Sequence, residues 1–173
     1  MRLIINTMLA TLIVGTVLSA SAADVEIHLK GKIKAAACTV DNNGIYNVDL
    51  GQNISASTLK AAGSGADWVP FNITLSQCPV GTTVAIATFS GAPGDVAEHY
   101  ANASGAGYAQ NVDVELQQIS GNLSAGNGQS LRKDVDDNTH TVTFDMQARA
   151  YSLAGNATAG DISSVVTVEF EYE

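Results

Sequence analysis

Positive charge is scarce in this chain. Eight lysines and arginines stand against seventeen aspartates and glutamates in 173 residues, a formal charge of −9. A surface of that sign repels phosphate backbones and anionic headgroups, which argues against nucleic acid and acidic lipid as partners, and the acidity reads as solubility. Histidine is as sparse. His28, His99 and His140 are the only three, and no H-x-H or H-E-x-x-H spacing brings imidazoles together as a zinc or copper site needs. They read as isolated surface residues. There is no G-x-S-x-G elbow, no phosphate loop and no dinucleotide fingerprint. No cofactor or metal is called for, and no catalytic set is assembled. Asp134, Asp136 and Asp137 in "KDVDDNTH" are close together. They lack the spaced ligands and distal glutamate of a calcium loop, and nothing marks one of them as a buried glycosidase acid. They read as a solvated turn.

Long apolar runs are also missing, with one exception at the start. After Arg2 the chain is mostly apolar from Leu3 to Leu18, and Ala20-Ser21-Ala22 supplies the small-x-small pattern that a signal peptidase cuts. Asn6, Thr7 and Thr11 interrupt the run, and it falls short of the roughly 20 apolar residues of a membrane span. The expectation is a signal peptide over residues 1–22, with no membrane insertion of the mature chain. The roughly 150 residues that follow suffice for one domain with a core but hardly for two. Cysteine occurs twice, as Cys38 and Cys78. In an exported chain the pair is expected to form one structural disulfide, since the spacing fits neither a redox C-x-x-C nor a zinc cluster. Closing a loop of about 40 residues stabilises by roughly 3 to 4 kcal/mol in the chain-entropy model.

What the chain does contain is alternation with a period of two. Val69, Phe71, Ile73 and Leu75 alternate in "WVPFNITLS", "TTVAIATF" is rich in small and β-branched residues, and Val112, Val114 and Leu116 alternate in "NVDVELQQ". Between them lie loops of Gly, Ser, Asn and Ala. No helical stripe outlasts a turn or two, and no linker or internal repeat divides the mature chain. This pattern implies an all-β sandwich of immunoglobulin-like type.

Both ends carry apolar strands. In "ADVEIHLKGKI" the residues Val25, Ile27, Leu29, Gly31 and Ile33 share one face, with Asp24, Glu26, His28, Lys30 and Lys32 on the other. Gly31 breaks the row, marking either a shallow place in whatever receives the strand or a bulge where the domain begins. In "ISSVVTVEFEYE" the residues Ile162, Val166, Val168, Phe170 and Tyr172 face one way, and Val165 alone departs from the pattern. An apolar final strand with nothing after it to cover its edge is a feature that soluble proteins avoid.

The alternating "VEIHLKGKI", Cys38 in "AAACTV", Cys78 in "SQCPVGTT" and the penultimate tyrosine of "FEYE" occur in that order. Together they resemble the chaperone-usher fimbrial subunits of the type 1 pilin family, and "AQNVDVELQ" with the opening stretch resembles the minor tip adaptors most. The resemblance implies an incomplete immunoglobulin-like sandwich that lacks its seventh strand, with a groove beside the last strand. Residues 23–34 would then be a donor-strand extension and residues 35–173 the pilin domain. Val25, Ile27, Leu29, Gly31 and Ile33 would enter the groove of a neighbouring subunit, by the strand addition known for chaperones and pilins. Val166, Val168, Phe170 and Tyr172 would receive a strand from a periplasmic chaperone and then from another subunit. The implied partners are neighbouring subunits, that chaperone and an outer-membrane usher, and the implied location is a fimbrium on the cell surface. A shaft pilin that polymerises on itself is the alternative within the family. A carbohydrate-binding module using the loops around Asp95 or Asp134 is the alternative outside it.

Overall fold

Among the described residues, the alternation read around Val69–Leu75, Val114–Leu116 and Val166–Tyr172 becomes strand. The computed structural model describes Lys30 and residues 37–173. Among them run β1 (Thr39–Val40), β2 (Ser64–Gly65), β3 (Val69–Ser76), β4 (Val84–Gly91), β5 (Tyr100–Ala101), β6 (Asp113–Gln118), β7 (Leu123–Ser124), β8 (Ser130–Asp134), β9 (Val142–Ser152) and β10 (Val166–Tyr172). Two short 3-10 turns, Asp41–Gly44 and Ser120–Asn122, are the only helical pieces among these residues.

The strands form two antiparallel sheets. The larger is ordered β1-β3-β9-β6-β5, with β2 added to β9 and β7 to β6, and the smaller is ordered β10-β4-β8. The longest strand, β9, lies at the centre of the larger sheet. Val142, Phe144, Met146, Ala148 and Ala150 are buried, and Thr143, Asp145, Gln147, Arg149 and Tyr151 between them are half-buried on the outer face. It pairs with β3 from Val69↔Ala148 to Leu75↔Val142 and with β6 from Asp113↔Tyr151 to Gln118↔Met146. Leu75, Phe144 and Met146 of this sheet pack in one core with Ala85, Ala87 and Phe89 of β4. A disulfide joins Cys38, just before β1, to Cys78, just after β3, as expected.

The free edge of the smaller sheet at β8 is charged. Arg132 bonds Glu173 at 2.7 Å, and Lys133 reaches across to Asp145 of β9 at 3.1 Å. Long charged side chains on an edge strand oppose further pairing there.

His99 corrects the reading of three surface histidines. Its side chain is only 12 % exposed and lies 3.9 Å from Glu115. It meets the Tyr151 ring edge-on at 4.7 Å between centroids. The segment 92–99 folds over β6 and covers it, and that packing leaves no trace in residue spacing. Asp113 anchors the same segment by accepting the N–H of Val96 at 3.2 Å. Gly94 is required there, because a Cβ would collide with the Asp113 carboxyl. Burial pushes that carboxyl above its ordinary range, against the pull of the N–H groups of Val96 and Asp95.

Three exposed carboxyls are shifted the other way. The Arg132 guanidinium holds Glu173 below its usual value. Asp49 is lowered by the N–H of Gly51 and then by Gln52, and Asp136 by the N–H groups of Thr139 and Asn138. A folded-state pKa below the unfolded one stabilises above the unfolded value and stops doing so as pH falls through the folded value. The melting temperature is therefore expected to drop between about pH 5 and about pH 3, and Glu173→Gln should flatten part of the drop. Asp113 works in the opposite sense, because protonation relieves its buried charge. Melting curves of the two chains across that range check the expectation.

An open cleft along the last strand

The inward row of β10 is less covered than any comparable row in the core. Val166, Val168, Phe170 and Tyr172 face the core and pack against it, and Thr167, Glu169 and Glu171 face solvent. All four inward residues are nevertheless only half-buried, whereas the inward residues of β9 are fully buried. Among the described residues β10 has a neighbour on one side only. β10 pairs with β4 from Val166↔Gly91 to Tyr172↔Ala85 and with no other strand among the described residues.

The ladder also shows which backbone groups are left over. Glu173 and Val84 exchange both their N–H···O bonds, at 3.0 and 3.3 Å. Bonded and non-bonded pairs alternate in an antiparallel ladder. The N–H and C=O groups of Tyr172, Phe170, Val168 and Val166 therefore point away from β4, towards the open side.

Beside this edge lies a cleft of about 1000 Å³. Its floor includes Ile73, Phe89, Val114 and Leu116. The opposite rim is the segment Ile45–Leu50; residues 46–50 all line the cleft, with Tyr46, Val48 and Leu50 half-buried and Asn47 and Asp49 exposed. Among the described residues, no backbone–backbone hydrogen bond involves an N–H or C=O of residues 46–50. One end of the cleft opens over a second apolar cluster that includes Leu59, Ala109, Val112 and Ile162. The cleft is thus an apolar trough whose backbone on each side is unpaired among the described residues. Along β10 it runs from Val166 to Phe170, about 13 Å at ~3.3 Å per residue.

Of the expected acceptor residues, Val166, Val168 and Phe170 line the cleft, and Tyr172 shares their face without lining it. Burial raises the Tyr172 hydroxyl above its ordinary range, against a smaller pull from the backbone N–H of Cys38. The expected donor residues Val25, Ile27, Leu29, Gly31 and Ile33 lie outside the described residues. The rim residues Tyr46, Val48 and Leu50 were not foreseen, although "YNVDL" carries the same period of two.

The acidic loops lie elsewhere. Asp134 ends β8, and the Asp136 carboxylate accepts the N–H groups of Asn138 and Thr139 at 2.8 and 3.0 Å, which closes a turn. Asp95 lines a smaller polar pocket of about 360 Å³ with Gln110 and Asp113. Among the described residues, no three His, Cys, Asp or Glu side chains are placed to hold a metal, and no helix is long and apolar enough to cross a membrane.

Two antiparallel sheets that enclose one core without closing into a barrel, and that stay open along the final strand, make an immunoglobulin-like sandwich of the pilin kind. The family model described as "Fimbrial protein" matches residues 27–173. Protein FimG of Escherichia coli (strain K12) is 40% identical over 151 residues, 87% of this chain and 86% of that one. The S-fimbrial adhesin protein SfaS of Escherichia coli O6:K15:H31 is 39% identical over 155 residues, 89% and 88% of the two chains. The crystal structure of the P pilus rod subunit PapA matches with a TM-score of 0.63 at 18% identity, covering 80% of this chain and all of that one, a likeness of fold. The chain belongs to the fimbrial protein family, as a chaperone-usher fimbrial subunit similar to FimG.

Proposed function

We propose that this chain is a structural adaptor subunit near the tip of a type 1-like adhesive fimbrium, assembled by strand donation. Its cleft accepts an extended strand, first from a periplasmic chaperone and then, at an outer-membrane usher, from the next subunit. Its own residues 23–34 fill the cleft of another subunit. The chain is exported through the periplasm and ends in a fibre on the cell surface. The observation that carries this reading is the half-buried row Val166, Val168 and Phe170 above a trough whose two rims both have backbone left unpaired among the described residues. A strand laid there would bury apolar side chains at about 1.5 to 3 kcal/mol each and would bond to both rims. The adaptor position is supported by the similarity to FimG.

The test uses the chain from Ala23 carrying Ile27→Asp and Leu29→Asp, so that its own leading strand cannot occupy a cleft. Peptides copying the leading strands of several fimbrial subunits are added, this chain's residues 23–34 among them. At a concentration about a hundredfold above its Kd, a fitting peptide stabilises by about 2.7 kcal/mol. For a domain of this size that is roughly 5 to 10 °C in melting temperature. Tightest binding of another subunit's peptide is the adaptor outcome. Tightest binding of its own peptide would make it a shaft subunit, and a chain indifferent to every peptide would end the strand-acceptance reading.

A further inference from the structure

Tyr46 does at the edge of β3 what a backbone would otherwise do. β1 pairs with β3 at only two places, Thr39↔Ser76 and Val40↔Leu75. The chain then turns away through Asn42, Asn43 and Gly44, at φ 55°, 53° and 73°. Asparagine and glycine are the residues that adopt this left-handed conformation most readily. The next residue on β3 is Thr74, and among the described residues it has no strand partner on that side. Its backbone is satisfied instead by one phenol. The Tyr46 hydroxyl donates to the Thr74 carbonyl at 3.3 Å and accepts the Thr74 N–H at 3.2 Å. A single side chain thus takes both backbone bonds that an adjoining strand would have made.

This arrangement has a consequence for the rim. If residues 45–50 continued the ladder of β1, alternate N–H and C=O groups would be spent on β3 and only the other half would remain for a further strand. With the Tyr46 hydroxyl closing Thr74, the segment remains fixed to the larger sheet while its own N–H and C=O groups stay free among the described residues. Val48 and Leu50 then follow Tyr46 along the cleft wall at the spacing of an extended strand. Fixing an edge in advance removes ordering cost from the binding event.

We propose that Tyr46 is a positioning residue for strand acceptance: its hydroxyl holds the segment Ile45–Leu50 as a ready second pairing edge, so that an incoming strand bonds both to β10 and to this rim. The inference rests on the strand-acceptance reading above.

Two measurements test it, both in the Ile27→Asp, Leu29→Asp chain with the tightest-binding leading-strand peptide of the set. The first needs no substitution at the rim. Peptide binding should slow amide exchange within residues 46–50 as well as in β10. Slowed exchange in β10 alone would show that the rim does not pair and would overturn the inference. The second compares Tyr46→Phe with the unsubstituted position. The ring keeps its packing and loses only the hydroxyl, so the Thr74 amide should exchange faster in the free chain and peptide association should slow by about tenfold. Dissociation and the melting temperature of the free chain should change much less. An unchanged Thr74 amide with unchanged association overturns the role of the hydroxyl. Absence of any peptide binding, with β10 unprotected, would count against strand acceptance itself and is thereby distinguished.

Discussion

Phe170→Asp is expected to abolish strand acceptance while leaving the domain folded. Phe170 is half-buried in the free domain, where its ring lies 6.1 Å from that of Phe144, and it lines the cleft. An aspartate there still reaches water through the open trough. Once a strand covers it, the carboxylate is enclosed by apolar side chains with no cation to pair with, and burying such a charge costs several kcal/mol. Peptide affinity should fall by at least about a hundredfold, and the peptide-induced rise in melting temperature should disappear. Glu169→Ala is the matching control, because Glu169 is exposed on the outer face of the same strand. Surface changes of that kind stay within about 0.5 kcal/mol. Calorimetric titration of both variants, with circular dichroism to confirm the fold, checks the contrast. Undiminished binding by the Phe170→Asp chain would place the strand somewhere else.

Loss of the disulfide should have the next largest effect. Cys38 and Cys78 close a loop of sequence separation 40, worth roughly 3 to 4 kcal/mol by chain entropy. Whole domains have only about 5 to 15 kcal/mol to lose. The local setting enlarges the effect. β1 has just two paired residues. In a Cys38→Ala, Cys78→Ala chain, the start of the domain loses its tether to β3. The denaturation midpoint should therefore fall well below that of the oxidised chain, and dithiothreitol should bring the oxidised chain down to meet it. Coincident midpoints for oxidised and reduced protein would show that the bridge adds nothing.

The apolar row of β10 was legible because its large side chains, Val168, Phe170 and Tyr172, alternate with two glutamates and a threonine. Contrast of that kind is the strongest local signal of a half-buried strand. The central strand β9 has the same period, but its later inward positions are Ala148 and Ala150, and alanine gives little contrast with the polar residues beside it. The rim at Tyr46, Val48 and Leu50 is apolar at alternate positions yet belongs to no ladder. Period two reports the direction in which side chains point and says nothing of whether the backbone between them has found a partner. The open side of the sandwich was likewise inferred from family likeness, since a missing neighbour has no residues of its own to read. The enclosure of His99 depends on a loop crossing a sheet, a contact between segments whose spacing encodes nothing about it.

The salt bridges on β8 bear on growth. Arg132 and Lys133 are tied to Glu173 and Asp145, so a strand approaching that flank meets long charged side chains that oppose pairing. On the proposed strand-acceptance reading, the smaller sheet would grow through β10 and resist growth through β8.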